Sequence, residues 1–260
     1  MKTTLITGAS SGIGESFARR LAAQGDNLLL VARSENKLAG LCNELGRASN
    51  ISAQFVALDL TERDAPQRLF EETNRRGLEV ETLINNAGFG SVGDFATLDM
   101  ERELNMIDLN ITSLVALTHL YLAPMRERKR GAIINVASTA AFQPVPYMTT
   151  YAATKAFVLS FTEALWEENR AYNIKVLALC PGVTETNFFE TAHMHKPPVR
   201  AAQTPEQVVD TALKGLKRGN SHIISGWMNF VTTQSERLFP RSVITRLAGH
   251  MMRSQSNNKG

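Results

Sequence analysis

Tyr151 and Lys155 stand four residues apart in this 260-residue chain. On a helix that spacing puts both side chains on one face. A tyrosine with a pKa near 10 is a poor acid or base at neutral pH, and a neighbouring ammonium lowers that value by stabilising the phenolate. Such a tyrosine can give a proton to a carbonyl oxygen as hydride arrives, or take one from an alcohol. Tyr-x-x-x-Lys is common by chance, and a half-buried helical tyrosine is its ordinary explanation. The pair gains weight from Ser138, at the end of an apolar run upstream, whose hydroxyl can hold a substrate oxygen.

A second constellation opens the chain. Thr7-Gly8-Ala9-Ser10-Ser11-Gly12-Ile13-Gly14 follows the apolar run Thr3–Ile6 and precedes residues of helical spacing, Ile13, Phe17, Ala18, Leu21 and Ala22. A glycine-rich turn between strand and helix is a phosphate site. Glycine permits backbone angles and close approach that a side chain forbids, and the first N–H groups of the helix point at the anion unpartnered. The spacing here is G-x-x-x-G-x-G. Arg33 follows the second apolar run, Asn27–Val31, where dinucleotide folds place the residue that reads the adenosine ribose. An acid there would accept from a free 2′-hydroxyl, whereas an arginine forks onto a 2′-phosphate that a carboxylate would repel. Ser10, Ser11 and Ser34 add hydroxyl donors, and the expected cofactor is NADP(H).

These residues need a frame that brings them together. Further apolar runs lie at Ile51–Leu58, ending at Asp59, and at Val80–Ile84, ending in Asn85-Asn86-Ala87-Gly88. Others follow at Ala132–Ala137, Ile174–Leu179 and Ser221–Ser225. Between them the spacing predicts helices: one that Ser34 caps, one beginning at Thr61, and a long region over 101–128 that Pro124 kinks or ends. Two more are expected over 151–169 and from Pro205. Continuous apolar strands separated by helices describe an α/β fold, a parallel sheet covered on both faces. Its ligands bind beyond the carboxyl ends of the strands, where the informative residues fall.

The charge of +3 and 43% hydrophobic content fit a single domain that handles anionic ligands. No basic tract or zinc-finger spacing supports nucleic-acid binding. Cys42 and Cys180, far apart and without a CxxC context, read as reduced thiols of a cytoplasmic protein. The first strand begins by residue 3, so no leader is expected, and no uninterrupted apolar run is long enough for a membrane span.

The pattern resembles the short-chain dehydrogenase/reductase family, over roughly residues 3–225. The resemblance rests on the glycine turn 7–14, Asp59, Asn85–Gly88, Asn110, Ser138, Tyr151-x-x-x-Lys155 and Pro181-Gly182-Val183-Thr184, in that order. It implies a Rossmann-like doubly wound parallel sheet of strand order 3-2-1-4-5-6-7. Tyr151 would be the acid/base, with Lys155 lowering its pKa and binding the nicotinamide ribose. Ser138 would orient the carbonyl, and Asn110 would hold a water in a relay from Lys155. Asp59 and Leu60 would flank the adenine, Asn86-Ala87-Gly88 would line the cofactor, and Pro181 to Thr184 would contact the nicotinamide. Ala32-Arg33 resembles the NADP-preferring branch. Ser11 departs from its pattern, standing where a basic residue precedes Gly12, which leaves Arg33 as the main phosphate contact. The family also implies a homodimer or homotetramer.

Residues 1–225 are therefore expected to form a catalytic domain with a variable substrate loop at 185–204. Residues 226–260 would be a helical extension of the same domain with a disordered end. Phe188, Phe189 and Met194 in the loop, with Met148 and Phe142, suggest an apolar substrate. His193-x-His195 lacks a third ligand, so no metal is expected. In the extension Val243, Ile244, Leu247 and Met251 follow helical spacing among Arg237, Arg241, Arg246 and Arg253. Intramolecular packing or a subunit contact ranks first for this helix, a substrate cover second and membrane contact last. The small-molecule substrate is a ketone, aldehyde or alcohol; a 3-oxoacyl thioester, a steroid or lipid ketone and a small xenobiotic carbonyl stay open. The alternative is a non-catalytic NADP(H)-binding regulator or scaffold, which has no need of a tuned tyrosine. A dehydratase or epimerase would need acid/base groups in a longer substrate domain.

Overall fold

The structure is a computed structural model that describes residues 1–192 and 202–256. Seven strands form one parallel sheet: β1 (Lys2–Thr7), β2 (Leu28–Ala32), β3 (Ala53–Ala57), β4 (Glu79–Asn85), β5 (Gly131–Val136), β6 (Ile174–Cys180) and β7 (His222–Ile224). Their order across the sheet is β3-β2-β1-β4-β5-β6-β7, the expected one. The chain therefore winds outward from β1 in one direction and then, from β4, in the other. This leaves a crevice at the carboxyl ends of β1 and β4.

The uninterrupted apolar strands have a direct explanation in the packing. Successive strand residues point to opposite faces. Ile6, Leu30, Ile84 and Ile134 pack on one face, under α1 (Gly12–Ala22), α2 (Glu35–Ser49) and α8 (Pro205–Arg218). Leu5, Leu29, Leu83 and Ile133 pack on the other, under α3 (Ala65–Arg75) and α5 (Leu114–Glu127). Both faces are dry, so both parities must be apolar. The edge strand β3 is only partly buried and is shorter than its apolar run, pairing over 53–57.

The long helical region divides into α4 (Met100–Ile107), a π-helical turn (Asp108–Ser113) and α5. Pro124 lies inside α5, which continues three residues to Glu127. By length and composition the combined helix Met100–Glu127 is apolar enough to cross a membrane. Its Leu117, Tyr121 and Met125 are instead part of the sheet's core, and its Thr118 accepts a hydrogen bond from Asn85 at 3.1 Å. Tyr151 and Lys155 lie on α6 (Thr149–Asn169), and the segment after β6 holds the short α7 (Phe188–Thr191). Helix α8 begins with a capping box in which Thr204 and Gln207 satisfy one another's backbone N–H groups. The extension forms α9 (Trp227–Ser235) and α10 (Arg241–Ser256), so Ser254–Ser256 end a helix rather than belonging to a disordered tail. Cys42 and Cys180 are buried and free.

Candidate active site

The crevice is a cleft of about 980 Å³ that runs from the glycine turn to the substrate loop. At its floor the turns after β1 and β4 are laced together. Thr7 Oγ1 accepts from the backbone N–H of both Asn86 and Ala87 at 3.0 Å. The Asn86 side-chain amide donates to the carbonyl oxygens of Thr7 and Gly8. The glycines are required by this closeness. Gly8 has φ +64°, and a Cβ on it would stand 2.9 Å from Ala87 Cα. A Cβ on Gly14 would meet the Gly8 carbonyl and sit 2.6 Å from Asn86 Nδ2, so Gly14 serves the packing of α1 on the turn and does not line the cleft.

Gly8, Ser10, Ser11, Gly12 and Ile13 line one end of the cleft, with Arg33, Ser34, Asp59 and Leu60 beside them. Ser34 occupies the N-cap of α2 but makes no side-chain capping bond. Arg33 is 77% exposed and reaches Asp59 at 3.8 Å, a long surface pair that costs little to rearrange. Asp59 is held by the backbone N–H and hydroxyl of Thr61. A glycine turn at a helix N-terminus, beside a serine that makes no capping bond and an exposed guanidinium, fits a phosphorylated dinucleotide.

At the other end Ser138, Tyr151 and Lys155 converge, all buried. Ser138 Oγ accepts from Ala140 N–H at 3.1 Å, which turns the chain after β5 and fixes the hydroxyl. Lys155 Nζ donates to the Val136 carbonyl at 2.7 Å and lies 5.8 Å from the Tyr151 ring centre. Burial pushes the Tyr151 phenol up to about 12, and a hydrogen bond with the Ser138 hydroxyl opposes this. Burial lowers Lys155 to about 8. Desolvation of the phenolate is the larger of the two effects.

Asn110 sits in the π-helical turn, away from the cleft lining. Its Oδ1 accepts from Phe89 N–H at 3.2 Å, and its Nδ2 donates to the Phe89 carbonyl and to Thr154 Oγ1. The side chain clamps the segment after β4 to α6. A Cβ on Gly88 would meet Asn110 Oδ1 at 2.8 Å and Lys155 Nζ at 3.5 Å, so this brace sits directly beneath the lysine.

Pro181, Gly182, Val183 and Thr184 line the cleft after β6. The Pro181 carbonyl accepts from Thr139 N–H at 2.9 Å, and Asn229 of α9 packs against Gly182, its Cγ 2.7 Å from where a Cβ would be. Phe188 stacks near Tyr151, ring centres 5.2 Å apart, and Met148 joins them. Phe142 faces elsewhere: it packs on the cluster around Ala137 and Val158, its ring 6.0 Å from that of His222. The turn that Ser138 caps rotates Phe142 away from the cleft. The side chain of Phe189, together with His193, Met194 and His195, lies outside the described residues. Sequence reasoning missed Arg102, whose guanidinium stacks 5.1 Å from the Phe89 ring centre at the cleft wall, and Met252 of α10.

Comparison with known proteins agrees with this geometry. A very-long-chain 3-oxoacyl-CoA reductase of Macaca fascicularis is 35% identical over 86% of this chain and 73% of its own. A short-chain dehydrogenase from Sphingobium yanoikuyae, solved in complex with NADPH, superposes with a TM-score of 0.83 at 29% identity, covering 100% of this chain and 98% of that one. A structure solved for the stereoselectivity of 7beta-hydroxysteroid dehydrogenase gives a TM-score of 0.88 at 28% identity, over 95% and 96% of the two chains. The sequence model for short chain dehydrogenases matches residues 2–196. The chain belongs to the short-chain dehydrogenase family.

Proposed function

We propose that this protein is an NADPH-dependent carbonyl reductase in which Tyr151 is the general acid, acting on a ketone or aldehyde with an apolar body. The observation that carries the reading is the convergence of Ser138, Tyr151 and Lys155 at the far end of the cleft from the glycine turn and Arg33. NADPH, when bound, supplies the hydride. The α1 N-terminus and the backbone of 8–13 bind its pyrophosphate, Arg33 and Ser34 hold the 2′-phosphate, and Lys155 holds the nicotinamide ribose.

Ser138 donates to the substrate carbonyl oxygen and fixes it beside the tyrosine. A phenol at about 12 is fully protonated at neutral pH. It keeps its proton until negative charge develops on the substrate oxygen, then gives it up. The reverse oxidation runs the same step backwards, with the phenolate taking the alcohol's proton. Phe188, Met148 and Met252 make the substrate wall apolar, which suits a long-chain 3-oxoacyl thioester or a lipid ketone; two relatives named for such substrates support this class.

Purified protein should oxidise NADPH in the presence of medium- and long-chain 3-oxoacyl thioesters or steroid ketones, and far more slowly with small polar aldehydes. Tight NADPH binding with no turnover on that panel would contradict the reading and favour a cofactor-binding regulator.

A further inference from the structure

The extension carries more exposed apolar surface than a solvated helix pair needs. Trp227, Met228, Phe230 and Val231 on α9 are exposed, as are Leu238 and Phe239 after it and Val243, Leu247 and Met251 on α10. Helix α10 has three faces. Ile244, Ala248 and Met252 turn inward, with Met252 packed near Met148 and Tyr151. Val243 and Leu247, four residues apart, form an outward apolar pair. Arg246 and His250 run along its other side, while Arg253 donates to the Tyr147 hydroxyl at 3.2 Å. Contiguous apolar surface of this kind marks a binding face.

Charge decides what it binds. Residues 226–260 hold four arginines and a lysine against a single carboxylate, Glu236. A two-fold contact would bring this basic patch against itself, with only Glu236 of each copy to pair its arginines. An anionic bilayer satisfies both halves, taking the exposed apolar residues into the acyl boundary and the arginines at the headgroups, with Trp227, 76% exposed, at the interface. We propose that α9 and α10 seat the protein on an anionic lipid surface. Met251 and Met252 also line the cleft, so its mouth would open beside the lipid. The inward face of α10 keeps the intramolecular packing that the sequence ranks first, and the lipid contact adds the role it ranks last.

The test reads binding without turnover, so it stands apart from the reductase reading. The full chain is sedimented with phosphatidylcholine vesicles with and without phosphatidylglycerol, and its tryptophan emission is recorded. Binding to the anionic vesicles alone is expected, with a blue shift absent in Trp227→Ser. Partitioning should fall at least tenfold in Val243→Ser/Leu247→Ser and in Arg241→Glu/Arg246→Glu, with NADPH affinity kept as the control for folding. Failure to bind anionic vesicles at low salt, or binding that neither double variant weakens, overturns the proposal. A dimer in light scattering that Val243→Ser/Leu247→Ser dissociates, in a protein that ignores vesicles, assigns the face to a second copy instead.

Discussion

Burial drives the two titrating groups of the cleft in opposite directions, Tyr151 up to about 12 and Lys155 down to about 8. Lys155 is therefore the group that titrates nearest neutrality, and the sign of its effect can be worked out. An anionic cofactor binds best to the charged lysine. Below pH 8 the lysine already carries its proton, and above it binding requires proton uptake. The Kd for NADPH should be flat from pH 6 to 7.5 and then rise, approaching ~10-fold per pH unit. Titration by fluorescence should show that rise in the wild type and its loss in Lys155→Met. Arg33 does not titrate in this range, and its contribution is read by cofactor choice. Removing a charge-assisted fork should weaken NADPH by about 10- to 100-fold in Arg33→Ala while NADH binding stays within about twofold. An unchanged NADPH/NADH ratio would mean that another group reads the phosphate. The types and spacing of Tyr151, Lys155, Ser138 and Arg33 single out residues that the fold places in one cleft, because strand ends and one helical turn fix their neighbours. Their ionisation was not legible, since burial follows from the whole fold and not from a four-residue spacing.

The elements hold these side chains through contacts that local patterns express unequally. The glycine turn is the legible extreme: Gly8 and Gly14 allow β1, α1 and the turn after β4 to meet within contact distance. A methyl at Gly14 has to push α1 from the Gly8 carbonyl. Gly14→Ala should cost about 1–3 kcal/mol, seen as a lower denaturation midpoint, and should weaken NADPH although residue 14 does not line the cleft. A variant with wild-type stability and affinity would show that the turn has slack. The π-helical turn is the opposite extreme. The sequence over 101–128 reads as one helix, and the extra residue per turn arises where Asn110 is held by Phe89 and Thr154 from two other elements. Asn229 against Gly182 was hidden for the same reason, since α9 meets the loop after β6 only through tertiary packing. Phe142 was misplaced because the short helical turn capped by Ser138 is not periodic enough to orient it.

Across the whole molecule, the doubly wound order brings turns that are scores of residues apart in sequence to one crevice. Asn86 and Thr7 bond directly across it, and Lys155 reaches the carbonyl of Val136 at the end of a different strand. A parallel sheet covered on both faces was legible because both parities of the central strands are apolar, whereas its strand order came from the family resemblance. The extension was less so: its helical period shows on the page, but which of its apolar residues the fold buries does not. The central claim is that this architecture places a phenol to protonate a reduced carbonyl. It is tested most directly by Tyr151→Phe, which removes one oxygen and leaves the ring beside Phe188. With a ketone that the wild type reduces, kcat should fall by about 10²- to 10⁴-fold, with NADPH affinity and thermal midpoint unchanged. A variant that retained wild-type kcat would contradict the account and move the proton donor elsewhere in the cleft.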